Sequence, residues 1–328
     1  MFRFINRAEN AVSEMLEGLA LAHGDIVEVD SNLVINKKLA QAERVTIVVL
    51  SAAGNEPAMS GYVGEGMVDI AVVGSVFAAP GPQSCAAALK LADRGCGVLL
   101  VVANQTGDEL TARLAMKQAA VWGLHVRLVV VHDDVSESAS EPEQRRGLLG
   151  CVPVCKIAGA AAAAGKTLAE VADIAERFAD DMATIAVLAK GAAPFADVAC
   201  DSVTEGTLQL GTGQYGEGGR EVAGVPADAA AELMLQPLTE ALQLKAGERV
   251  LLLASGSGAT TLMEQLIVYR AVNMLLTRQG VLVAASAVGE LVTVLDAAGL
   301  QICVARMDDE LLKLWQSACN TPYLKMCL

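Results

Sequence analysis

Between Gly206 and Arg220 the chain reads GTLQLGTGQYGEGGR, six glycines framing one phenol, Tyr215, one carboxylate, Glu217, and a neutral amide, Gln214. Glycine at that density lets backbone alone shape the segment and rules out a regular helix. If the segment is a site, its chemistry is that of Tyr215; the plainer alternative is a surface turn between strands. A second group is Asp108, which closes the polar run Ala103-Asn104-Gln105-Thr106-Gly107-Asp108. It reads either as the N-cap of the helix that follows, the simpler choice, or as a general base in a cleft. His132-Asp133-Asp134 reads as a strand-end turn in preference to a cation site. Cys151 and Cys155 are four apart and could share a helix face. With no C-x-x-C pair among the eight cysteines, one of them Cys200, and only His23, His125 and His132 to add, no zinc site is expected.

These groups need a scaffold, and the pattern supplies one. The runs Arg44–Leu50, Val68–Val73, Gly97–Val102 and Val126–Val131 are short, apolar and β-branched, as buried parallel strands are. The first runs into Ser51-Ala52-Ala53-Gly54-Asn55-Glu56-Pro57 and the third into the Asp108 loop. Both loops therefore sit at carboxyl ends of strands, where open α/β sheets place ligands. Helices are predicted at Glu9–Leu21, stopping at His23-Gly24, at Leu110–Trp122, and across Ala158–Gly165 and Leu168–Phe178, with Glu141–Arg146 an exposed charged loop. Beyond Asp180-Asp181 the pattern predicts strands at Thr184–Leu188, Arg249–Ala254, Val281–Ala285 and Gln301–Ala305. Helices are expected at Ala227–Leu242, from the 260s to Thr277, at Gly289–Ala298 and at Asp308–Ser317. Ser255-Gly256-Ser257-Gly258-Ala259-Thr260 lacks the spacing of a phosphate loop and reads as a tight strand-to-helix turn, although such a turn can cradle an anion. The expectation is an α/β chain of two domains, residues 1–183 and 184–328, the second carrying the glycine loop 206–219.

Composition narrows the functional classes. Hydrophobic residues make up 53% of the 328 and aromatics 3%, so the core is built from Ala, Val, Leu and Ile. A net charge of −14 and a pI near 4.7 argue against nucleic acid as a direct partner, because a phosphate backbone calls for clustered Lys and Arg. The longest uncharged run, Ile70–Leu89, is broken by Gly74, Pro80, Gly81 and Pro82, and the N-terminus has no apolar leader core. A soluble, cytoplasmic protein is expected, without a membrane partner.

Seven landmarks stand in one order along the chain: Leu50-Ser51 with Asn55-Glu56-Pro57, Gly61–Met67, Asn104–Asp108, Asp133-Asp134-Val135 with Arg145-Arg146-Gly147, Gly211–Gly219, Gly258-Ala259-Thr260, and Asp308–Glu310 leading to Leu314-Trp315. Over nearly its whole length the chain resembles the DhaK subunit of dihydroxyacetone kinases, the substrate-binding half of a two-part kinase. The resemblance implies two α/β domains with mainly parallel sheets, a homodimer, and phosphate delivered from a separate nucleotide-bearing subunit of the DhaL type. ATP and Mg would then reach the site only through that partner, with no cofactor and no metal held by this chain. Paralogues that lost kinase function act as partners of transcription regulators.

The family's site residues map unevenly. Its nucleophilic His, which fixes the ketone carbon as a hemiaminal, falls on Tyr215; the His before Glu-Pro falls on Asn55, after Gly54 in a shortened loop; its Lys falls on Ala103; Asp108 matches. A phenol with a pKa around 10 is almost entirely protonated near pH 7, where a neutral imidazole is nucleophilic. Neither Asn55 nor Ala103 replaces the proton or charge a His or Lys offers. The expectation is a degenerate pocket that binds a small polyol or ketose without a covalent bond, formed by Gly54, Asn55, Ala103, Asp108 and Tyr215, in a metabolite-sensing co-regulator. The alternative is an active glycerone or ketose kinase subunit with altered substrate, Asp108 serving as base.

Overall fold

Valine-rich runs fold here as strands buried on both faces, and alanine-rich runs as the helices that cover them. The computed structural model describes residues 4–136, 141, 144–191 and 203–327; Cys200, and Pro142-Glu143 of the charged stretch, lie outside these. In chain order the first elements are α1 (Ala11–Ala22), β1 (Val27–Asp30), β2 (Leu33–Asn36), β3 (Thr46–Ala53), β4 (Ile70–Val76), α2 (Pro82–Ala92), β5 (Val98–Ala103), α3 (Thr106–Val121), β6 (Val126–Val131), α4 (Cys151–Ala163) and α5 (Leu168–Asp180). They build a six-stranded sheet of order β1-β2-β4-β3-β5-β6, whose centre, β4-β3-β5-β6, is parallel. All eight residues of β3 are buried, as a central parallel strand requires.

The remaining elements are β7 (Met182–Lys190), β8 (Thr207–Leu210), β9 (Arg220–Ala223), α6 (Ala227–Leu242), β10 (Arg249–Gly258), α7 (Leu262–Arg278), β11 (Leu282–Gly289), β12 (Ala298–Arg306), α8 (Asp309–Gln316), β13 (Cys319–Asn320) and β14 (Lys325–Met326). They form a second six-stranded sheet, β11-β10-β12-β7-β8-β9, and a small C-terminal hairpin. Only β10–β11 pairs in parallel in this second sheet; β10–β12, β12–β7, β7–β8 and β8–β9 are antiparallel. The α/β class stands, with both sheets mixed and the parallel pairing concentrated in the first. Part of the reason lies in the connections, since β8 and β9 are joined directly by the glycine loop and hairpin-type returns give antiparallel neighbours.

Helix α4 buries twelve of its thirteen residues, because it shares one hydrophobic cluster with both sheets. A helix so enclosed must be slim, which explains its alanines and Gly159, where a Cβ would stand 2.4 Å from the carbonyl oxygen of Met67. Its one charged residue, Lys156, is fully buried and donates to the carbonyl of Leu314 at 2.9 Å, at the end of α8.

Two local expectations fail. Ser255-Gly256-Ser257-Gly258 is no turn but the end of β10, held along its length by the ladder to β12, with Ser255 also paired to β11. Residues 289–297 form no helix: Val292, Thr293 and Val294 are β-branched, and Thr293 and Leu295 donate their N–H groups to the carbonyls of Asn55 and Gly54 instead of to their own turn. Among the described residues, no helix is long and apolar enough to cross a membrane.

Candidate functional site

The carboxyl ends of β3 and β5 bring the two polar loops together. A cavity of about 40 Å³, room for roughly three water-sized groups, is lined by Ser51, Asn55, Ala103, Gln105, Asp108, Cys151, Gln214, Tyr215 and Val292 among others. Four of the five residues expected at the site, Asn55, Ala103, Asp108 and Tyr215, thus meet in one place, although more than a hundred positions separate Tyr215 from Asp108. Gly54 stands just outside, lining a neighbouring cavity with Glu56. Its φ of 93° and the Phe77 ring, 2.7 Å from where a Cβ would be, exclude other residues there.

Asp108 does not cap its helix. Helix α3 starts two residues earlier, at Thr106, with Gln105 in the N-cap place, and Asp108 lies buried in the first turn. Among the described residues its Oδ1 has no hydrogen-bond partner, and burial pushes its pKa up to about 7. A carboxyl that is half protonated at neutral pH can donate as well as accept a hydrogen bond. Tyr215 is half-buried, and its ring packs on Phe77 at 5.0 Å between centroids. Burial first, then the charges of Asp108 and Glu217, hold its phenol well above the ordinary range. It is therefore a neutral hydroxyl at physiological pH. Glu217, the other ionisable group of the loop, is turned inward to the loop itself, its Oε2 accepting from the Tyr215 N–H at 2.9 Å.

Asn55 plays a different part from that of a ligand alone. Its Nδ2 donates to the carbonyl of Thr293 at 3.0 Å, its own carbonyl accepts from Thr293 N–H at 3.2 Å, and Leu295 N–H reaches the Gly54 carbonyl at 2.9 Å. The buried Tyr62 hydroxyl adds a bond to Leu291 at 2.7 Å. The segment expected to be helix is instead the strap that closes the cavity from the second sheet's side.

The glycine loop owes its position to residues that sequence reasoning set aside. The Asp133-Asp134 pair is buried and forms no exposed turn: Asp133 accepts from the N–H groups of Leu148 and Gly150, both at 2.8 Å. Asp134 takes the Nε of Arg146 at 2.8 Å. Arg146 then donates to Ser136 Oγ and Gly211 carbonyl, both at 3.0 Å, and to Glu217 carbonyl at 2.7 Å. One guanidinium thus ties both ends of the loop to the end of β6, which its planar fork of donors suits. Burial raises the Asp134 pKa and Arg146 opposes that rise. Within the loop, Gly213 N–H meets Glu217 carbonyl at 2.7 Å, and a Cβ on Gly213 would lie 1.9 Å from Glu217 Oε1. A signal was present in the sequence, two acids after a buried strand with Arg145-Arg146 a dozen positions on, but nothing in it showed which Arg turns inward.

A family model of the Dak1 domain matches residues 17–323. The chain belongs to the Dak1 family. It is 36% identical over 331 residues to the PTS-dependent dihydroxyacetone kinase 2, dihydroxyacetone-binding subunit DhaK, of Listeria innocua, covering 99% of this chain and 100% of that one. Its fold is similar to that of the dihydroxyacetone kinase operon co-activator Dha-DhaQ, with a TM-score of 0.90 and 27% identity over 96% of this chain and 98% of that chain. It is also similar to the dihydroxyacetone kinase of C. freundii, with a TM-score of 0.89 and 25% identity over 99% of this chain and 60% of the kinase. Within the Dak1 family, then, full-length similarity runs both to kinase subunits and to a co-activator.

Proposed function

We propose that this chain is a DhaK-type subunit with a degenerate site, which binds a small polyol or ketose without a covalent bond and serves as a metabolite-sensing co-regulator. The observation that carries this reading is the makeup of the 40 Å³ cavity: among its described lining residues there is no His, Lys or Arg. Its one prospective nucleophile on the glycine loop is a phenol held protonated by burial and by Asp108. Addition to a ketone carbon needs an electron pair that this phenol does not offer near pH 7. Tyr215, Gln214, Gln105 and a half-protonated Asp108 instead offer donors and acceptors at several angles, which suits hydroxyl groups. Similarity to a co-activator over nearly the whole chain supports the regulatory role.

The partners that go with this reading are a second copy of the chain and a transcription regulator, and the sheet change at Met182 supports two domains meeting near residue 183. One observation favours a second reading, an active glycerone or ketose kinase subunit of altered substrate: a carboxyl with a pKa about 7 is poised as a general base. Mg–ATP would arrive with a nucleotide-bearing partner. Among the described residues no group of three or more His, Cys, Asp or Glu is placed to hold a metal ion.

The test mixes the chain with a DhaL-type subunit, a phosphoryl donor and a panel of trioses and tetroses, and follows phosphate transfer beside thermal unfolding. Ligand-dependent stabilisation without turnover is expected, since a ligand that binds only the folded state raises its stability. Turnover at ordinary enzymatic rates would establish the kinase reading and end the sensor one.

A further inference from the structure

Behind the glycine loop lies a second cavity of about 430 Å³, some ten times the first and within the range of small-molecule sites. Its floor is apolar, with Ile185 and Leu210 buried and Val135, Leu233 and Pro237 half-buried. Its mouth is polar, with Arg220, Gln236 and Glu240 exposed. Leu233, Gln236, Pro237 and Glu240 are spaced three, four and seven apart, one face of α6. Pro237 inside that helix has no N–H for the carbonyl of Leu233 one turn earlier, which leaves an acceptor without its regular donor on the same face. Glu240 accepts from Gln236 through one oxygen, at 2.9 Å. The opposite wall is the backbone of Gly211, Gly218 and Gly219, the reverse of the loop that carries Tyr215.

We propose that this cavity is a second ligand site, for a small amphipathic amine. The apolar body seats on Ile185, Leu210 and Leu233, and the ammonium meets the Glu240 carboxylate and the Leu233 carbonyl, both acceptors. A net charge of −14 draws cations toward the chain as a whole, and the amine brings its charge to Glu240, on the α6 side of a mouth that also holds Arg220. Because one wall is the glycine loop, an occupant restrains residues 211–219 and so reaches Tyr215 from behind. The site stands whether or not the smaller cavity takes a ketose, since no residue lines both.

Isosteric probes test it: phenethylamine, L-phenylalanine, 3-phenylpropionate and 2-phenylethanol, followed by calorimetric titration and by amide hydrogen exchange of residues 211–219. Saturable binding of the two amines is expected, with the carboxylate-only probe at least tenfold weaker and exchange in the loop slowed by the amine. Gln236→Trp, an exposed position at the mouth, should abolish binding with the unfolding transition unchanged, and Glu240→Gln should weaken it at least fivefold. Absence of saturable binding, equal binding of 3-phenylpropionate, or full binding in Gln236→Trp would each overturn the proposal.

Discussion

Replacing Arg146 by Ala removes a cation that holds the glycine loop. Its partner Asp134 has a fully buried side chain, and the Arg146 side chain is itself only 18% exposed, so the pair belongs with interior ion pairs and not with surface ones. Losing one partner of such a pair leaves an uncompensated buried charge and costs about 3–5 kcal/mol. A surface pair would cost under about 1 kcal/mol. The carbonyls of Gly211 and Glu217 and the hydroxyl of Ser136 lose a charged donor in the same step, which keeps the figure in the upper half of that range. Urea unfolding followed by the fluorescence of Trp122 and Trp315 measures the loss. Arg146→Lys retains the charge without the fork and should recover only part of it. Hydrogen exchange supplies an independent reading: protection across 211–219 should fall in both variants while that of β3 and β5 stays. A loss below about 1 kcal/mol in Arg146→Ala, with loop protection unchanged, would refute the assignment.

Asp108 predicts a pH dependence of opposite sign to a salt-bridged acid. Its folded pKa of about 7 exceeds the ordinary value of 3.8, so between those values the folded state binds the extra proton and stability falls as pH rises, levelling above about 7. Asp108→Asn removes that loss and should gain up to about 4 kcal/mol over wild type at pH 8 while gaining little at pH 4, by urea unfolding at each pH; a gain independent of pH contradicts the shift. Tyr215→Phe should weaken ketose-dependent stabilisation by roughly three- to tenfold in ligand concentration, the worth of one hydrogen bond, and mass spectrometry of wild type with dihydroxyacetone should show no stable adduct. Asn55→Ala should cost about 1–2 kcal/mol through the orphaned Thr293 carbonyl and raise exchange in residues 291–295, which unchanged exchange would disprove.

Regular elements with unambiguous periodicity were legible in the chain alone. β6 and α6 lie at the residues predicted for them, Val126–Val131 and Ala227–Leu242. What escaped was whatever tertiary contact decides. Ser255–Gly258 carries turn residues, yet the ladder to β12 holds it extended; Gly289–Ala298 has helical length, yet the N–H groups of Thr293 and Leu295 go to Asn55 and Gly54. Asp108, Ala103, Asn55 and Tyr215, which line one cavity, were grouped as candidates through the order of landmarks, since no spacing links residues 108 and 215. Arg146 was missed because its sequence neighbours are charged and its role depends on a backbone 65 positions away.

The strap from Leu291 to Leu295 has a consequence for how such a chain can change over generations. Neither half can make the pocket alone, because Asn55 and Asp108 come from one and Tyr215 and Val292 from the other. Fragments split between the two sheets would each carry an unfinished surface, and recombination between distant relatives at that seam would pair mismatched edges. The two stretches are thus bound to drift as one through the path of the strap's main chain, since Asn55 meets the backbone N–H and carbonyl of Thr293 and not its side chain.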